Sequence, residues 1–359
     1  MFGPSLRRID CPDLRNQVHA FTLIAMILAA DLGGTKCNVI LFDDTDAQRL
    51  RTVYRRQVAT AEFSAIEDFL HDFFEKAAQQ GYALRDGQLN AAAFGVAGAI
   101  VNDEVVCNNL PWHITRQKIA QALSLPPGKV VLLNDVEAAA SSLIHLEESD
   151  LTVLNPGTPQ ARGPKVYIAA GTGLGESYLF WDGRSYRVSP CEAGLTDFAP
   201  GTDQELQLLA RMRREMPRVC TEEIVSGRGF VAIHRHLFPE AQHAFLDDPA
   251  IDAAPLITRQ AFAKSCPACE ETLHIWTQAY GSEAGNMALR GLTFGGVYIG
   301  GGIALKILPK LQDGTFVRAF CDKTKLSAEL ARIPIYLVMN PDAPVLGAAY
   351  AALAQAQAT

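Results

Sequence analysis

The residues Ala30 to Asn38, Ala-Asp-Leu-Gly-Gly-Thr-Lys-Cys-Asn, constrain this chain more than any other stretch. They lie between the apolar runs Ile27 to Ala29 and Val39 to Phe42, so two hydrophobic strands must turn on Gly33, Gly34 and Thr35. Glycines at such a turn let backbone N–H groups approach an anion closely, which makes the hairpin a candidate phosphate loop. The spacing is neither GxxxxGK[ST] nor GxGxxG, so the cradle belongs to another nucleotide-binding architecture. A glycine turn between strands is also ordinary hairpin chemistry. What favours the phosphate reading is a repeat of the plan: Val166 to Ala170, then Gly171-Thr172-Gly173-Leu174-Gly175, then Ser177 to Trp181 again spell strand, Gly/Thr loop, strand.

The 359 residues, 48% hydrophobic and 20% charged, suffice for two domains with a core each. A net charge of -7 with no basic run points away from nucleic acid, whose binding needs clustered Lys and Arg, and toward small molecules. Eight cysteines scattered from Cys11 to Cys321, in a chain too large to need staples, imply a reducing cytoplasm. The apolar run from Phe21 to Ala30 falls well short of the roughly 20 residues that span a bilayer, so no membrane helix is expected. Arg7 and Arg8 ahead of that run look like a signal peptide, but cleavage there would destroy the first strand. Residues 1–26 are expected to be an amino-terminal extension, disordered or not translated, because Met26 stands directly before Ile-Leu-Ala-Ala-Asp.

After the first hairpin, Arg51 to Val58 alternates like a third antiparallel strand. Phe63, Ile66, Phe69, Leu70, Phe73, Phe74 and Ala77 recur at helical spacing and predict a core-facing stripe. Asn90 to Ala97 is a small-residue strand, and Thr115 is placed to cap a helix over 115–123. Lys129 to Leu133 is a buried strand that stops at Asn134-Asp135, followed by an Ala-rich helix from Val136 to Leu146. A carboxylate at the carboxyl end of such a strand is where open α/β sheets present reactive groups, so Asp135 is the prime candidate; it could equally serve only as a helix cap. Asn155 to Pro164 reads as a loop near a domain junction, and helices are expected near 202–215, 228–236 and 268–291. Gly295 to Ile299 runs as a strand into Gly300-Gly301-Gly302, where a flat ring can lie against backbone. Ile333 to Val338 gives a last strand and Ala343 to Ala356 a closing helix.

Other polar groups have bland readings beside the sharp ones. Cys266-Pro267-Ala268-Cys269 has CxxC spacing without a second pair, so zinc or redox chemistry is the minor reading. His234 and His236 read as solvated helix residues rather than ligands, and Glu147, Glu148 and Asp150 as a solvated helix end. Glu222-Glu223 alone is an ordinary acidic pair.

With Asp-x-Gly-Gly-Thr, Asn-Asp-x-x-Ala, Ala-Gly-Thr-Gly-Leu-Gly, Asp-Phe-Ala-Pro, Ser-Gly-x-Gly and Gly-Gly-Val-Tyr-Ile-x-Gly-Gly-Ile in this order, the chain resembles bacterial glucokinase from residue 27 to about 355. The related repressor/kinase family shares the first motif, but its cysteine-rich zinc motif is missing here. The resemblance implies an α/β, two-domain actin-like ATPase (sugar kinase) fold with a mixed five-stranded sheet in each domain and a central cleft. Its small domain would be 27–145 plus 341–359 and its large domain 146–340. It further implies ATP-dependent phosphorylation of glucose at the 6-hydroxyl, with ATP and Mg²⁺ as cofactors, domain closure over the sugar, and a homodimer in the cytoplasm.

Carried over position by position, the resemblance makes Ala30, Asp31, Leu32, Gly33, Gly34 and Thr35 the ATP loop, with Asp31 reaching Mg²⁺ through water. Gly171, Thr172, Gly173 and Gly175 become the second phosphate loop, and Gly301 and Gly302 flank the adenosine. The catalytic base falls on Asp135, and the sugar-binding residues on Asn109, Asn134, Asp135, Glu192 and Glu222, all with polar side chains suited to hydroxyl groups. One position departs: where the family has Glu-Gly-Gly-His, this chain reads Glu192-Ala193-Gly194-Leu195. A hydroxyl left unsatisfied there would cost about 1 to 3 kcal/mol, or roughly 5- to 150-fold in binding. The open alternatives are therefore a kinase for another hexose, or a sugar-binding sensor with weakened catalysis.

Overall fold

The computed structural model describes residues 25–46, 49–106, 110–241, 243–248 and 250–357. The amino-terminal extension expected over 1–26 and the sugar-binding residue expected at Asn109 thus fall almost wholly outside the described residues. Two mixed sheets form the frame. The first joins β1 (Met26–Leu32), β2 (Lys36–Asp43), β3 (Arg51–Ala59), β4 (Leu89–Val96) and β7 (Val130–Asn134) in the order β3-β2-β1-β4-β7. A separate hairpin, β5 (Ala99–Val101) and β6 (Glu104–Val106), follows β4. The second sheet joins β8 (Leu151–Asn155), β9 (Lys165–Ala170), β10 (Leu174–Trp181), β11 (Tyr186–Cys191), β12 (Gly296–Gly300) and β13 (Ile335–Val338) in the order β11-β10-β9-β12-β13-β8.

The first sheet has the five strands expected; the second has six. Its extra strand is β8, which pairs antiparallel with β13 from Ile335↔Asn155 to Val338↔Leu151. Leu151-Thr152-Val153-Leu154-Asn155 is a short edge strand directly after an acidic turn, and five residues on an edge carry little periodic signal.

Each sheet opens with an antiparallel meander and continues in parallel strands. β1 pairs antiparallel with β2 and parallel with β4, which runs parallel to β7. β9 likewise pairs antiparallel with β10 and parallel with β12, which runs parallel to β13. The strands flanked on both faces read as continuous apolar runs because both sides are buried: Ile27, Leu28, Ala29 and Ala30 are inaccessible to solvent.

The aromatic stripe is core, as its spacing predicts. Ile66, Phe69, Leu70, Phe73 and Ala77 of the helix Ile66–Gln79 are buried beneath the first sheet, and Phe69 stacks on Trp112. Each of the buried Ile, Leu and Phe side chains contributes about 1.5 to 3 kcal/mol by leaving water. Thr115 caps the helix Arg116–Ala122, accepting the Lys118 N–H at 3.2 Å.

Two helices join the sheets. The helix Asp135–Ser142 leaves the first sheet, and its Ala139 and Ala140 pack with Tyr167 and Leu179 of the second. The closing helix Ala343–Gln357 leaves the second sheet, and its Val345, Ala348, Ala349 and Ala352 pack on Ile27, Ala29 and Ala91 of the first. The two cross at Gly347, where a Cβ would lie 1.8 Å from the Ala138 carbonyl oxygen, so only glycine fits. The crossing is fixed ahead of the closing helix by Asp342, which accepts from Arg55 at 2.7 and 3.0 Å and from Asn38 Nδ2 at 3.2 Å. Among the described residues no helix is long and apolar enough to cross a membrane.

Candidate functional site

Three parallel strands of the first sheet end side by side, and their carboxyl ends carry the acidic half of the site. The register pairs Asp31 of β1 with Gly95 of β4, and Val96 of β4 with Asn134 of β7. Gly95 supplies the gap between them: a Cβ there would meet the Ala138 Cβ at 2.9 Å and the Asp135 Cα at 3.8 Å. Without that side chain, the helix start that carries Asp135 settles over the strand ends.

The helix cap is Asn134, not Asp135. Asn134 Oδ1 accepts the Val136 N–H at 2.9 Å, its Nδ2 donates to the Gly98 carbonyl at 3.0 Å, and Glu137 answers at the Asn134 N–H at 3.4 Å. Asp135 is the first residue of the helix, and one of its oxygens also accepts the Val136 N–H at 2.9 Å. Among the described residues, its carboxylate has no cationic partner. Burial raises its pKa; the Val136 N–H and its own N–H oppose that rise, and the Glu192 charge adds to it. Asp31 is pushed up to about 6, first by burial and then by the Asp135 charge, with Lys36 pulling the other way. The two aspartates therefore feel each other across Gly95 in a sparsely hydrated site.

The first glycine turn is tight because backbone meets backbone. The Gly33 N–H donates to the Lys36 carbonyl at 3.1 Å, and a Cβ on Gly33 would sit 3.0 Å from that oxygen. Thr60 secures it from the end of β3, donating its hydroxyl to the Gly33 carbonyl at 2.6 Å. Gly34 and Thr35 are exposed, so their N–H groups are open to a ligand, whereas the Ala30 and Leu32 side chains are buried and only their backbone could reach one.

The second turn is braced differently. The Gly171 N–H donates to the Gly173 carbonyl and the Gly171 carbonyl accepts the Gly227 N–H, both at 2.8 Å. Glu222 accepts the Leu174 N–H at 2.9 Å while Arg228 holds its other oxygen at 2.8 Å, and a Cβ on Gly173 would strike the Glu222 carboxylate at 2.5 Å. Glu222 thus sits on the second loop. A Cβ on Gly175 would lie 2.1 Å from Val136 Cγ2, which places this loop against the residue that follows Asp135. Glu192 directly follows β11 and is exposed, in a turn whose Gly194 packs under the Leu174 carbonyl; Leu195 of the same turn is 58% exposed.

Between Gly171, Thr172, Arg228, Gly302, Ile303 and Lys306 lies a cavity of about 440 Å³. Gly301 takes φ +85°, and a Cβ there would collide with the Ala170 carbonyl at 2.5 Å, while Gly302 faces open space. The Gly301 N–H also reaches the buried Tyr167 phenol, whose pKa is raised by burial and by the Asp135 and Asp31 charges. Glycines, a hydroxyl and two cations around a slot match a nucleotide's flat ring and phosphates.

The structure thus gathers Asp31, Asp135 and Glu192 around one site, sets Gly175 at its edge, and lines the adjoining cavity with Gly171, Thr172 and Gly302. Glu222 braces a loop, and Asn134 is engaged by the helix and Gly98. Sequence reasoning did not single out Thr60, Tyr167 or Lys306; Thr60 carries no local signal, since its partner Gly33 is 27 positions away. The Ser226-Gly227-Arg228-Gly229 segment did hold one clue, because Arg228 is the cation at Glu222.

A family model for glucokinase matches residues 28–355. The glucokinase of Nostoc punctiforme is 35% identical over 347 residues, covering 92% of this chain and 99% of that one. Among solved structures, a glucokinase from an Antarctic psychrotroph superposes with TM-score 0.80 at 27% identity, over 92% of this chain and 99% of that one. A Balamuthia mandrillaris glucokinase in complex with glucose shares the fold, with TM-score 0.72 at 21% identity over 92% and 94% of the two chains. On the family model and on a relative alike from end to end, this chain belongs to the glucokinase family.

Proposed function

We propose that the protein transfers the γ-phosphoryl group of ATP to the 6-hydroxyl of glucose. The observation that carries this reading is the Asp135 carboxylate, without a cationic partner among the described residues, at a helix start touched by elements of both halves. A sugar hydroxyl is a poor nucleophile, and phosphoryl transfer needs alignment, charge neutralisation and an acceptor for the proton. Asp135 accepts that proton as the oxygen–phosphorus bond forms. Its fixed hydrogen bond to the Val136 N–H orients one oxygen and leaves the other for the sugar. Burial strengthens it as a base, because the same desolvation that raises its pKa favours the protonated product.

The N–H groups of Gly34 and Thr35 in the first turn, and of Thr172 and Gly173 in the second, cradle the phosphates, and the ring of ATP occupies the cavity by Gly302. Asn109, Asn134, Asp135, Glu192 and Glu222 hold the sugar, Glu222 while also bracing the second loop. Asp31, whose charge Lys36 opposes, is an oxygen donor that fits Mg²⁺. Asp31 would hold that ion, which when bound would supply positive charge against the transferring phosphate. The bodies 27–145 with 341–359 and 146–340 swing together about the Gly347 crossing, expelling water that would otherwise hydrolyse ATP.

Leu195 supports a second reading. An exposed leucine offers no hydrogen bond where the family pattern places a histidine, so another hexose or weakened catalysis fits the turn as well. A coupled assay of ADP release with a hexose panel separates the readings. Glucose as the best substrate supports the first, a different hexose the second, and no sugar-dependent ADP from folded protein leaves a sugar sensor.

A further inference from the structure

Away from the cleft, four metal-binding side chains from three segments meet in the second half. Cys266 caps the helix Pro267–Gly291, and Cys269, one turn on, donates its N–H to the Cys266 sulfur at 3.4 Å. The two thiols therefore share one side of the helix start. His243, just ahead of the short helix Ala244–Asp247, brings Nε2 to 3.4 Å from Cys266 Sγ and 3.6 Å from Cys269 Sγ. A tetrahedral Zn²⁺ with Zn–S of about 2.3 Å and Zn–N of about 2.0 to 2.1 Å sets its sulfur and nitrogen ligands roughly 3.5 to 3.6 Å apart. Two edges of that tetrahedron are already in place.

His234 lies beside His243 and Cys269. The sequence marks it as a solvated helix residue; the structure buries it completely, with a ligand atom within 4.8 Å of those of His243 and Cys269. Its Nδ1 lies 3.0 Å from Thr272 Oγ1 and its Nε2 lies 3.2 Å from the Ala241 carbonyl.

We propose that Cys266, Cys269, His243 and His234 bind one structural Zn²⁺. Two thiolates and two imidazoles make a closed set with no position left for substrate, and Cys269 and His234 are inaccessible to solvent. The ion would tie the chain at 243 to the start of the long helix. The stretch between those anchors contributes Asp252, Pro255 and Thr258 to the wall of the nucleotide-sized cavity, so the metal would hold that wall. Among the described residues this group stands apart from the aspartates of the cleft, and the proposal does not depend on the reaction assigned there.

The test is a titration of the full chain, reduced and stripped of metal, with Co²⁺ alone. Expected are one equivalent bound, the thiolate charge-transfer and intense d–d bands of a tetrahedral centre, and displacement by Zn²⁺. Cys266→Ser and His243→Ala should each lose those bands, with circular dichroism reporting the fold, while Cys321→Ser keeps them. Absence of the bands in wild-type protein, or their survival in a Cys266→Ser/Cys269→Ser double variant, overturns the site. Recovery of Cys266 and Cys269 as a disulfide whose reduced form still takes no Co²⁺ overturns it equally, and the wild-type titration decides even where a variant fails to fold.

Discussion

The two sheets are built to one plan and used for different ends. In each, a strand turns back on a Gly/Thr loop, a third strand extends the meander, and two parallel strands follow on the other side. The difference lies in what stands before the loop. β1 places Asp31 two residues ahead of Gly33, whereas β9 places Ala169 two residues ahead of Gly171. Only the first half therefore points a carboxylate from its hairpin strand toward the adjoining strand end, where Asp135 waits. The second half instead opens a 440 Å³ cavity beside its loop and braces that loop with the Glu222–Arg228 pair. The repeated backbone gives two Gly/Thr turns, and in the proposed reaction single residues at matched positions decide which turn lies by the carboxylates and which by the cavity.

The sharpest way to break this pairing is at the crossing that joins the halves. Gly347→Val drives side-chain atoms into the Ala138 carbonyl, and overpacking of this kind costs roughly 1 to 3 kcal/mol or more. Denaturant unfolding should show that loss, with activity falling further than stability because the halves no longer meet in register. A smaller effect is expected within the first half. Asp31→Asn should lower turnover by about 10- to 100-fold, the range for an outer-shell partner of a metal, and raise the Mg²⁺ concentration needed for half-maximal rate. An unchanged Mg²⁺ requirement would detach Asp31 from the ion.

Next in size is the turn at Glu192. Leu195→His should lower the KM for glucose by about fivefold, the worth of one added hydrogen bond of about 1 kcal/mol, with little change in kcat. An equal gain for every hexose would show that position 195 does not read a hydroxyl.

The smallest effect on turnover is predicted in the second half. Glu176 on β10 is buried, both its oxygens lack partners among the described residues, and burial followed by the Glu283 charge pushes its pKa up to about 8. The folded chain thus keeps a proton that the unfolded chain releases near 4.5, so stability should fall as pH rises from about 4.5 to about 8. Glu176→Gln should flatten that slope in denaturant melts at several pH values while leaving the reaction intact; an unaltered slope would assign it to other groups.

Much of this frame is legible from the residues. Both hairpins announce themselves by apolar runs around Gly/Thr turns, and the core face of Ile66–Gln79 by its aromatic spacing. Asp135 is marked by a buried strand that stops just before it. What the sequence leaves hidden is long-range: Thr60 on the Gly33 carbonyl, Gly347 on Ala138, and His243 between two cysteines each depend on contacts between distant positions. The β8 strand was hidden for a local reason, being five residues long on a sheet edge. His234 misleads because a helix that alternates His-Arg-His looks solvated until its neighbour across the core is known.

In the proposed reaction the halves converge on Asp135, which takes the sugar proton. The most direct test compares Asp135→Asn with wild type in binding and in turnover, using calorimetry for glucose and ATP and a coupled assay for ADP. Both ligands should bind within a few-fold of wild type and turnover should fall by about 10²- to 10⁴-fold, the contribution of a positioned base. Near-wild-type turnover in the Asn variant would contradict it.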